Sequence, residues 1–357
     1  MNDWLIDDET IPLERRSVLP GEGFFTPDTF DEEQAELEAQ TRLDGADRVV
    51  VADPDADGLG CVALVRVALG EAALLPAGPH ELADALEFVA EYGEPELELF
   101  VCDLCPDSAD DVESLPKIAE RASTVRWYDH HQWDEGLLDQ VSRHAELVVG
   151  DSDTECSTDV ALRSLEYEFD DRYRELAAVT RDHDLWLRED PRSDDLADYA
   201  YWSDPEEYVG TVVEHAADLP TEVESLLTER RVEKDALIRK AADRAIFEEI
   251  GEWTVGVTYG RCSQNEVAEA MREDGADASV IVKPAGSASI RGTDGFERCH
   301  EVASQVNGGG HPKAAGCKPD IYDDMLDYAH HWTTHGAIAK QVILDAFRSL
   351  DRQRETE

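Results

Sequence analysis

Short apolar runs alternate with stretches of helical periodicity between residues 48 and 167. The apolar runs are RVVVA, ALLPA, LELFVCD, TVRWY and AELVVG. The helical spacing covers residues 59–69, 82–91, 114–122 and 157–167. Strands that are apolar throughout, instead of at every second position, indicate a parallel sheet covered by helices on both faces. The pattern therefore predicts an α/β domain.

The pattern changes twice after this domain. Residues 206–249 have apolar positions at helical spacing and predict long connecting helices. After Gly251 the runs WTVGVTY, ASVIVKP and SASIRG predict strands bounded by turns, and NGGGHPKAAG predicts a loop. A helical tail follows over residues 323–352, in which the histidines are expected to be surface or packing residues.

These changes divide the chain into five predicted segments. Residues 1–42 are polar, with proline and glycine breaking any long element until a helical run at 31–42. We therefore expect an N-terminal extension, a first α/β domain, a helical linker, a smaller α/β domain and a helical tail. Their predicted bounds are 1–44, 45–205, 206–249, 250–320 and 321–357.

The acidic composition offers an alternative explanation for every acidic motif, namely that its acids are part of a highly charged surface. The chain has 82 Asp and Glu against 32 Lys and Arg, a formal net charge of -50, and only 7 of the basic residues are lysine. Since 42% of the residues are hydrophobic, this balance does not indicate disorder. It indicates adaptation to concentrated salt, as in a halophilic archaeon, because salt screens surface charges from one another.

The sequence predicts a cytoplasmic protein with reduced thiols. The N-terminus MNDWLIDDET lacks the basic and apolar regions of a signal peptide, and no segment is apolar for long enough to span a membrane. We therefore expect no membrane association. The 7 cysteines are scattered, and the CxxC of Cys102 and Cys105 has no second pair at zinc spacing, which favours free cysteines.

Acids and histidines follow three of the predicted strands. Three aspartates at alternate positions follow RVVVA, one follows LFVC, and an Asp-His-His triplet follows TVRWY. Because the carboxyl ends of parallel strands meet at one edge of a sheet, these side chains should converge. Clustered carboxylates and imidazoles bind pairs of divalent ions, and a dication cancels the repulsion between like charges.

The ordered motifs resemble those of the DHH phosphoesterase family. The resemblance is carried by DPDADG, the aspartate of VCDLCP, the DHH triplet and RDHDLW, while NGGGHPKAAG resembles the signature of the companion DHHA1 domain. Together the motifs cover roughly residues 45 to 318. The resemblance implies a DHH domain followed by a DHHA1 substrate-binding domain.

The family pattern implies two Mn2+ or Mg2+ ions. One ion would be held by Asp55, Asp103, His130 and Asp182. The other would be held by Asp53, Asp57 and Asp103, so that Asp103 bridges the ions. Within RDHDLW, Asp182 is preferred as the ligand because it follows the helical run LAAVT, and Asp184 is expected to support it.

The remaining site residues have roles that the resemblance also implies. Asp129 would orient a histidine, and His131 would stabilise charge on the phosphoryl oxygens. In the second domain Gly308, Gly309 and Gly310 would present backbone N–H groups to a phosphate. His311 would reach the scissile or adjacent phosphate, and Arg291 would bind a phosphate or base.

The expected activity is metal-dependent phosphodiester hydrolysis in which a water is the nucleophile. Members that cut very short oligonucleotides or cyclic dinucleotides have a histidine four residues before the first acid, where this chain has Val49. The triple-acid form is similar to that of RecJ-type exonucleases, which favours single-stranded DNA, RNA or oligonucleotides as substrates, with release of nucleoside 5'-monophosphates. Cyclic di-AMP or 3'-phosphoadenosine 5'-phosphate, an inactive nucleic-acid-binding subunit and a homodimer remain alternatives.

Overall fold

The computed structural model describes the backbone of residues 28–354 and the side chains of residues 34–352. The chain divides into two compact units, one over Glu32–Thr228 and a second that contains the described residues from Glu229 onward. Most of the predicted N-terminal extension lies outside the described residues. Its helical run falls within helix α1, Asp28–Leu43. No described helix is long and apolar enough to cross a membrane.

The first unit contains a five-stranded sheet in which every strand pairing is parallel. Its spatial order is β2-β1-β3-β4-β5. The strands are β1 (Arg48–Ala52), β2 (Ala73–Pro76), β3 (Glu98–Cys102), β4 (Thr124–Asp129) and β5 (Glu146–Val149). All five match apolar runs of the sequence, which confirms the predicted α/β class.

Helices cover both faces of this sheet. After α1 the helices of the first unit are α2 (Ala56–Leu69), α3 (Leu82–Tyr92), α4 (Leu115–Ala119), α5 (Glu135–Val141), α6 (Ser157–Ser164), α7 (Asp171–Asp184), α8 (Pro191–Trp202) and α9 (Pro205–His215). Short 3₁₀ turns lie at Pro79–Glu81 and Asp110–Val112. Alternate residues of β1 enter different cores: Val50 packs with α2, whereas Val49 and Val51 pack with α3. Burial on both faces explains why the strands are apolar throughout.

The helix α10, Thr221–Ala242, leads into a second sheet of six strands with the order β10-β11-β9-β8-β7-β6. The strands are β6 (Ile246–Ile250), β7 (Trp253–Tyr259), β8 (Ala278–Val282), β9 (Ala288–Gly292), β10 (Gly308–Gly310) and β11 (Ala314–Cys317). Only β7 and β8 pair in parallel; the other neighbours in this described sheet are antiparallel. The helices are α11 (Gln264–Glu273), α12 (Cys299–Ser304), α13 (Met325–Thr333) and α14 (Ala337–Arg354).

Three local predictions need correction. Helix α2 begins at Ala56 instead of residue 59, because Asp55 caps it by accepting hydrogen bonds from the N–H groups of Asp57 and Gly58. The helical prediction over residues 206–249 is wrong at its end, where β6 begins at Ile246 and pairs with β7. The segment NGGGHPKAAG is a hairpin instead of a simple loop, since its glycines form β10.

Candidate metal centre

The predicted acids and histidines of the first unit meet at the carboxyl edge of its sheet. Asp103 follows β3 directly, and Asp129 ends β4 immediately before His130 and His131. Asp57 lies in the first turn of α2, next to the end of β1. The edge brings these residues together because the three strands are parallel neighbours.

His130 lies at the centre of the cluster. Its Nε2 is 3.3 Å from Oδ2 of Asp184, 3.8 Å from Oδ1 of Asp103 and 4.0 Å from Oδ2 of Asp57. Its side chain is only 8% exposed. Donor atoms of Asp57, His130 and Asp184 all lie within 4.8 Å of one another. The same holds for donor atoms of Asp103, His130 and His131. Two overlapping donor sets around one imidazole have the composition of a divalent metal site.

Asp57 and Asp103 are held by the beginning of α6. The backbone N–H groups of Ser157 and Thr158 donate to the two carboxylate oxygens of Asp57, at 2.6 Å and 2.8 Å. The hydroxyl of Ser157 donates to Oδ1 of Asp103 at 2.9 Å, and that of Thr158 donates to the backbone oxygen of Asp57 at 2.9 Å. All four residues are buried. The N-terminus of a helix favours negative charge, so α6 helps to keep these acids in place.

Ser157 and Thr158 were not among the predicted site residues. The sequence gives a weak signal for them, since two hydroxyl residues start a helix soon after β5, but that pattern also describes an ordinary helix start. Their partner Asp57 is about 100 residues earlier in the chain and Asp103 is 54 residues before Ser157, so only the folded structure brings them together.

Two glycines allow the close packing at this edge. A Cβ atom on Gly58 would lie 2.2 Å from the backbone oxygen of Asp53, and one on Gly60 would lie 2.5 Å from Oγ1 of Thr158. Asp103 has a positive φ of 59°, which is uncommon for a residue other than glycine and turns the chain sharply after β3. Such backbone strain is concentrated at functional sites.

The structure places Asp184, not Asp182, in the cluster. Both residues lie in the last turn of α7. The carboxylate of Asp182 accepts hydrogen bonds from the backbone N–H groups of Glu189 and Asp190 at 2.9 to 3.2 Å, so it organises the turn that follows the helix. Oδ2 of Asp184 is buried, lies closest to His130 and has no hydrogen-bond partner among the described residues. The geometry therefore favours Asp184 over Asp182 as the fourth acid of the cluster.

Asp129 is fully engaged with its neighbours. Its Oδ1 bonds to Nδ1 of His131 at 2.8 Å, and its Oδ2 accepts from the backbone N–H of His131 and from Nε1 of Trp133. Burial alone would raise the pKa of Asp129, but these hydrogen bonds outweigh it and the pKa is lowered. Burial alone would lower the pKa of His131, but Asp129 outweighs it and raises the pKa to about 9. Asp129 therefore fixes the orientation of the His131 ring and favours its protonated form in the metal-free protein.

Several acids of the cluster resist ionisation. Burial, followed by repulsion from neighbouring aspartates, raises the pKa of Asp53 to about 7 and that of Asp184 to about 8. The same causes raise the pKa of Asp55 and Asp103. A divalent ion would relieve both causes, because it replaces lost hydration and cancels like charge. Nδ1 of His130, like Oδ2 of Asp184, is buried without a hydrogen-bond partner in the described part of the chain. The donor set fits hard divalent ions such as Mn2+ or Mg2+.

The other predicted substrate residues belong to the second unit. Gly308, Gly309 and Gly310 are exposed on its edge strand β10, and His311 is exposed directly after it. Gly310 has a φ of 135°, and a Cβ at Gly308 would lie 2.2 Å from the oxygen of Gly316, so both positions need glycine. Arg291 lies on β9.

No family model and no curated protein sequence matches the chain. Solved structures do resemble it. Exonuclease RecJ bound to manganese matches with a TM-score of 0.52 and 17% identity over 86% of this chain and 94% of that chain. RecJ from Thermus thermophilus, in complex with Mn2+, gives 0.52 and 17% over 86% of this chain and 54% of that one. A DHH domain from a member of the s1p family of ribosomal proteins gives 0.55 and 15%, covering 92% and 94%. These likenesses show that the chain has the fold of DHH-domain proteins.

Proposed function

We propose that the protein is a two-metal phosphodiesterase that hydrolyses single-stranded nucleic acid or short oligonucleotides and releases nucleoside 5'-monophosphates. One observation carries the proposal: acids that follow β1 and β3, together with one from α7, surround His130 within 4.0 Å of its Nε2. Acids with raised pKa values in such a cluster are typical of functional sites. The two RecJ structures of the same fold are described with Mn2+, which supports the assignment of the ion.

We propose that the acids divide between two ions. Asp55, Asp103, His130 and Asp184 would hold one, and Asp53, Asp57 and Asp103 would hold the other. Such ions activate water and neutralise charge on a phosphoryl group.

The protein's own residues would position the phosphate. The side chain of His131 is 41% exposed and its Nδ1 is fixed by Asp129 at 2.8 Å, so its Nε2 can donate a hydrogen bond to a phosphoryl oxygen. The exposed residues Gly308–Gly310 lie on an edge strand without side chains, so a second part of the substrate could approach their backbone closely.

Two alternatives lead to different experimental results. A small nucleotide, such as cyclic di-AMP or 3'-phosphoadenosine 5'-phosphate, would use the same ions. Family members that cut cyclic dinucleotides have a histidine four residues before the first acid. Here that residue is Val49, whose side chain is buried in the core, and this weighs against a cyclic dinucleotide as the substrate. An inactive binding subunit is the other alternative, and the retained set of clustered acids weighs against it.

The test is a comparison of substrates with and without Mn2+ in concentrated salt. We expect end-labelled single-stranded DNA or RNA to be shortened stepwise to 5'-monophosphates, and we expect cyclic di-AMP and 3'-phosphoadenosine 5'-phosphate to be stable. Asp103→Asn should abolish the metal-dependent activity, whereas Asp84→Asn, at an exposed position of α3, should not change it. Hydrolysis of only the small nucleotides would reject the polymer substrate, and no hydrolysis of any substrate would support the binding subunit.

A further inference from the structure

A cluster of basic and aromatic side chains lies at the carboxyl ends of β7 and β8, the parallel pair of the second sheet. β7 ends at Tyr259 and β8 at Val282, and these two residues pair with each other. The turn between α13 and α14 packs on both ends, since a Cβ atom on Gly336 would lie 2.7 Å from Cγ1 of Val282 and 3.2 Å from the ring of Tyr259. In α/β sheets, ligands commonly bind at the carboxyl ends of parallel strands.

Side chains of the helical tail contact the ring of Tyr259. The ring centroid of His335 lies 5.3 Å from that of Tyr259, and Nζ of Lys340 lies 5.9 Å from the same centroid. The buried ring of His331 meets the tyrosine edge to face at 5.5 Å. His335 is exposed and Lys340 is partly buried, whereas Tyr259 is only 7% exposed. The polar groups of His335 and Lys340, not the tyrosine ring, are therefore available to a ligand.

Arg244 adds a second positive charge to the cluster. It lies two residues before β6, whose beginning pairs with the last part of β7. The hydroxyl of Thr258 donates to the backbone oxygen of Ala241, which holds the chain just before Arg244 against β7. Burial is the main cause of the lowered pKa of Lys340, and the charge of Arg244 lowers it further. Arg244 and Lys340 therefore lie close enough to repel each other.

No acid among the described residues neutralises these two charges. Neither Arg244 nor Lys340 forms an ion pair or a side-chain hydrogen bond with any of them. By contrast, Arg348, further along α14, lies 2.6 Å from both Glu248 and Asp345. With 82 acids and 32 bases in the chain, two neighbouring cations without an acid are unexpected. Like charges in a partly buried place are unfavourable unless an anion neutralises them.

His331 supports the cluster as a neutral ring. Its Nε2 donates to the backbone oxygen of Lys283 at 2.8 Å, because a carbonyl oxygen can only accept. Its Nδ1 then accepts from the hydroxyl of Tyr322, also at 2.8 Å. Burial lowers the pKa of His331, and the charge of Lys340 acts in the same direction. The ring is thus fixed from both nitrogens, and the charge of the cluster comes from its other members.

We propose that Arg244, His335 and Lys340 form a second anion site, which binds a phosphate group. The site does not include any residue of the candidate metal centre, and it does not depend on the proposed function. It also differs from the expected contact of Arg291, which pairs with Ser279 towards the other end of β8. A phosphate dianion fits the cluster because one ligand neutralises both permanent cations, whereas a chloride ion neutralises one. Guanidinium and ammonium groups both bind phosphate well.

Isothermal titration calorimetry with inorganic phosphate and with adenosine 5'-monophosphate tests the site. The titrations use the full chain in concentrated KCl with EDTA, so that chloride competes throughout and no divalent ion binds phosphate. We expect Lys340→Gln and Arg244→Gln each to weaken binding about 10- to 100-fold, the effect of losing one hydrogen bond to a charged group, and Lys340→Arg to retain binding. Lys117→Gln is the matched control, since Lys117 is exposed on α4 and has no ion pair with a described residue. Equal affinities for the two probes would identify free phosphate as sufficient, and tighter binding of the nucleotide would identify a phosphate monoester.

Thermal melts without phosphate separate a lost site from lost folding. Lys340→Gln and Arg244→Gln should melt no lower than the wild type, because each removes a repulsion between like charges. Mn2+-dependent hydrolysis should also be unchanged in both variants. Phosphate binding that is absent from the wild type, or equally tight in both glutamine variants, would overturn the anion site and leave the phosphodiesterase intact. Binding that Lys340→Gln weakens, in a protein that hydrolyses nothing, would support the site and reject the enzyme.

Discussion

Replacing Ser157 by alanine tests how α6 supports the candidate metal centre. The change removes a hydrogen bond of 2.9 Å from a buried hydroxyl to Oδ1 of Asp103, and it leaves the backbone bonds to Asp57 in place. A hydrogen bond to a charged group contributes about 1.5 to 3 kcal/mol. Since each 1.4 kcal/mol is about tenfold in an equilibrium constant, we expect Mn2+ to bind about 10- to 100-fold more weakly.

Isothermal titration calorimetry with Mn2+ measures this effect without relying on activity. Ser123→Ala is the matched control, because Ser123 precedes β4 at the opposite edge of the sheet and its hydroxyl donates to the backbone oxygen of Leu97 at 3.0 Å. We expect this variant to lose stability without a change in Mn2+ affinity. If Ser157→Ala binds Mn2+ as tightly as the wild type, Asp103 does not depend on the hydroxyl and the reasoning is wrong.

The remaining predictions concern the acids and glycines of the same edge. Asp184→Asn should weaken Mn2+ binding and stabilise the metal-free protein, whereas Asp182→Asn should mainly lower the melting temperature, because its carboxylate holds the turn after α7. Gly58→Ala should destabilise the protein, since its Cβ would lie 2.2 Å from the backbone of Asp53. The metal-free protein should become less stable as the pH rises from about 4 towards 8. The pKa values of Asp53 and Asp184 are raised in the folded protein, so the unfolded chain releases these protons at a lower pH than the folded protein does. Thermal melts with EDTA across this range measure the effect, and Mn2+ should reduce it.

Each of these predictions has an outcome that contradicts it. If Asp184→Asn binds Mn2+ as tightly as the wild type, Asp184 is not a metal ligand and Asp182 becomes the preferred fourth acid. Gly210→Ala is the control for Gly58→Ala, since Gly210 lies in α9 and a Cβ added there would meet no described atom within 4 Å. Alanine at this helical position should stabilise the protein by about 0.5 to 1 kcal/mol. Similar melting temperatures for the two glycine variants would refute the packing argument, and a stability that rises with pH would refute the charge argument.

The sequence predicted those parts of the fold that depend on local pattern. The strands of the first unit are apolar on both faces, so their runs are visible without knowledge of the fold, and the parallel arrangement explains why their ends meet. Strand β6 escaped prediction because IFEEI is an edge strand with mostly exposed residues, and glutamate is more typical of helices than of strands. The hairpin of NGGGHPKAAG escaped because glycine is not typical of strands.

The site was predictable in its residue types but not in its detailed geometry. Asp182 and Asp184 are two residues apart in a helical turn, and their side chains therefore face different directions. Which of them faces His130 depends on how α7 packs, and this information is not local to RDHDLW. The same limit applies to Ser157, whose hydroxyl reaches an acid 54 residues earlier.

The distances in sequence between these partners have a consequence for biosynthesis. Asp57 is bound by N–H groups about 100 residues later in the chain, so a growing polypeptide displays its first acids long before α6 exists to hold them. A divalent ion that binds only the completed arrangement stabilises the folded state by mass action. The concentration of that ion in the cell would then set how much of the newly made protein remains folded, independently of any turnover.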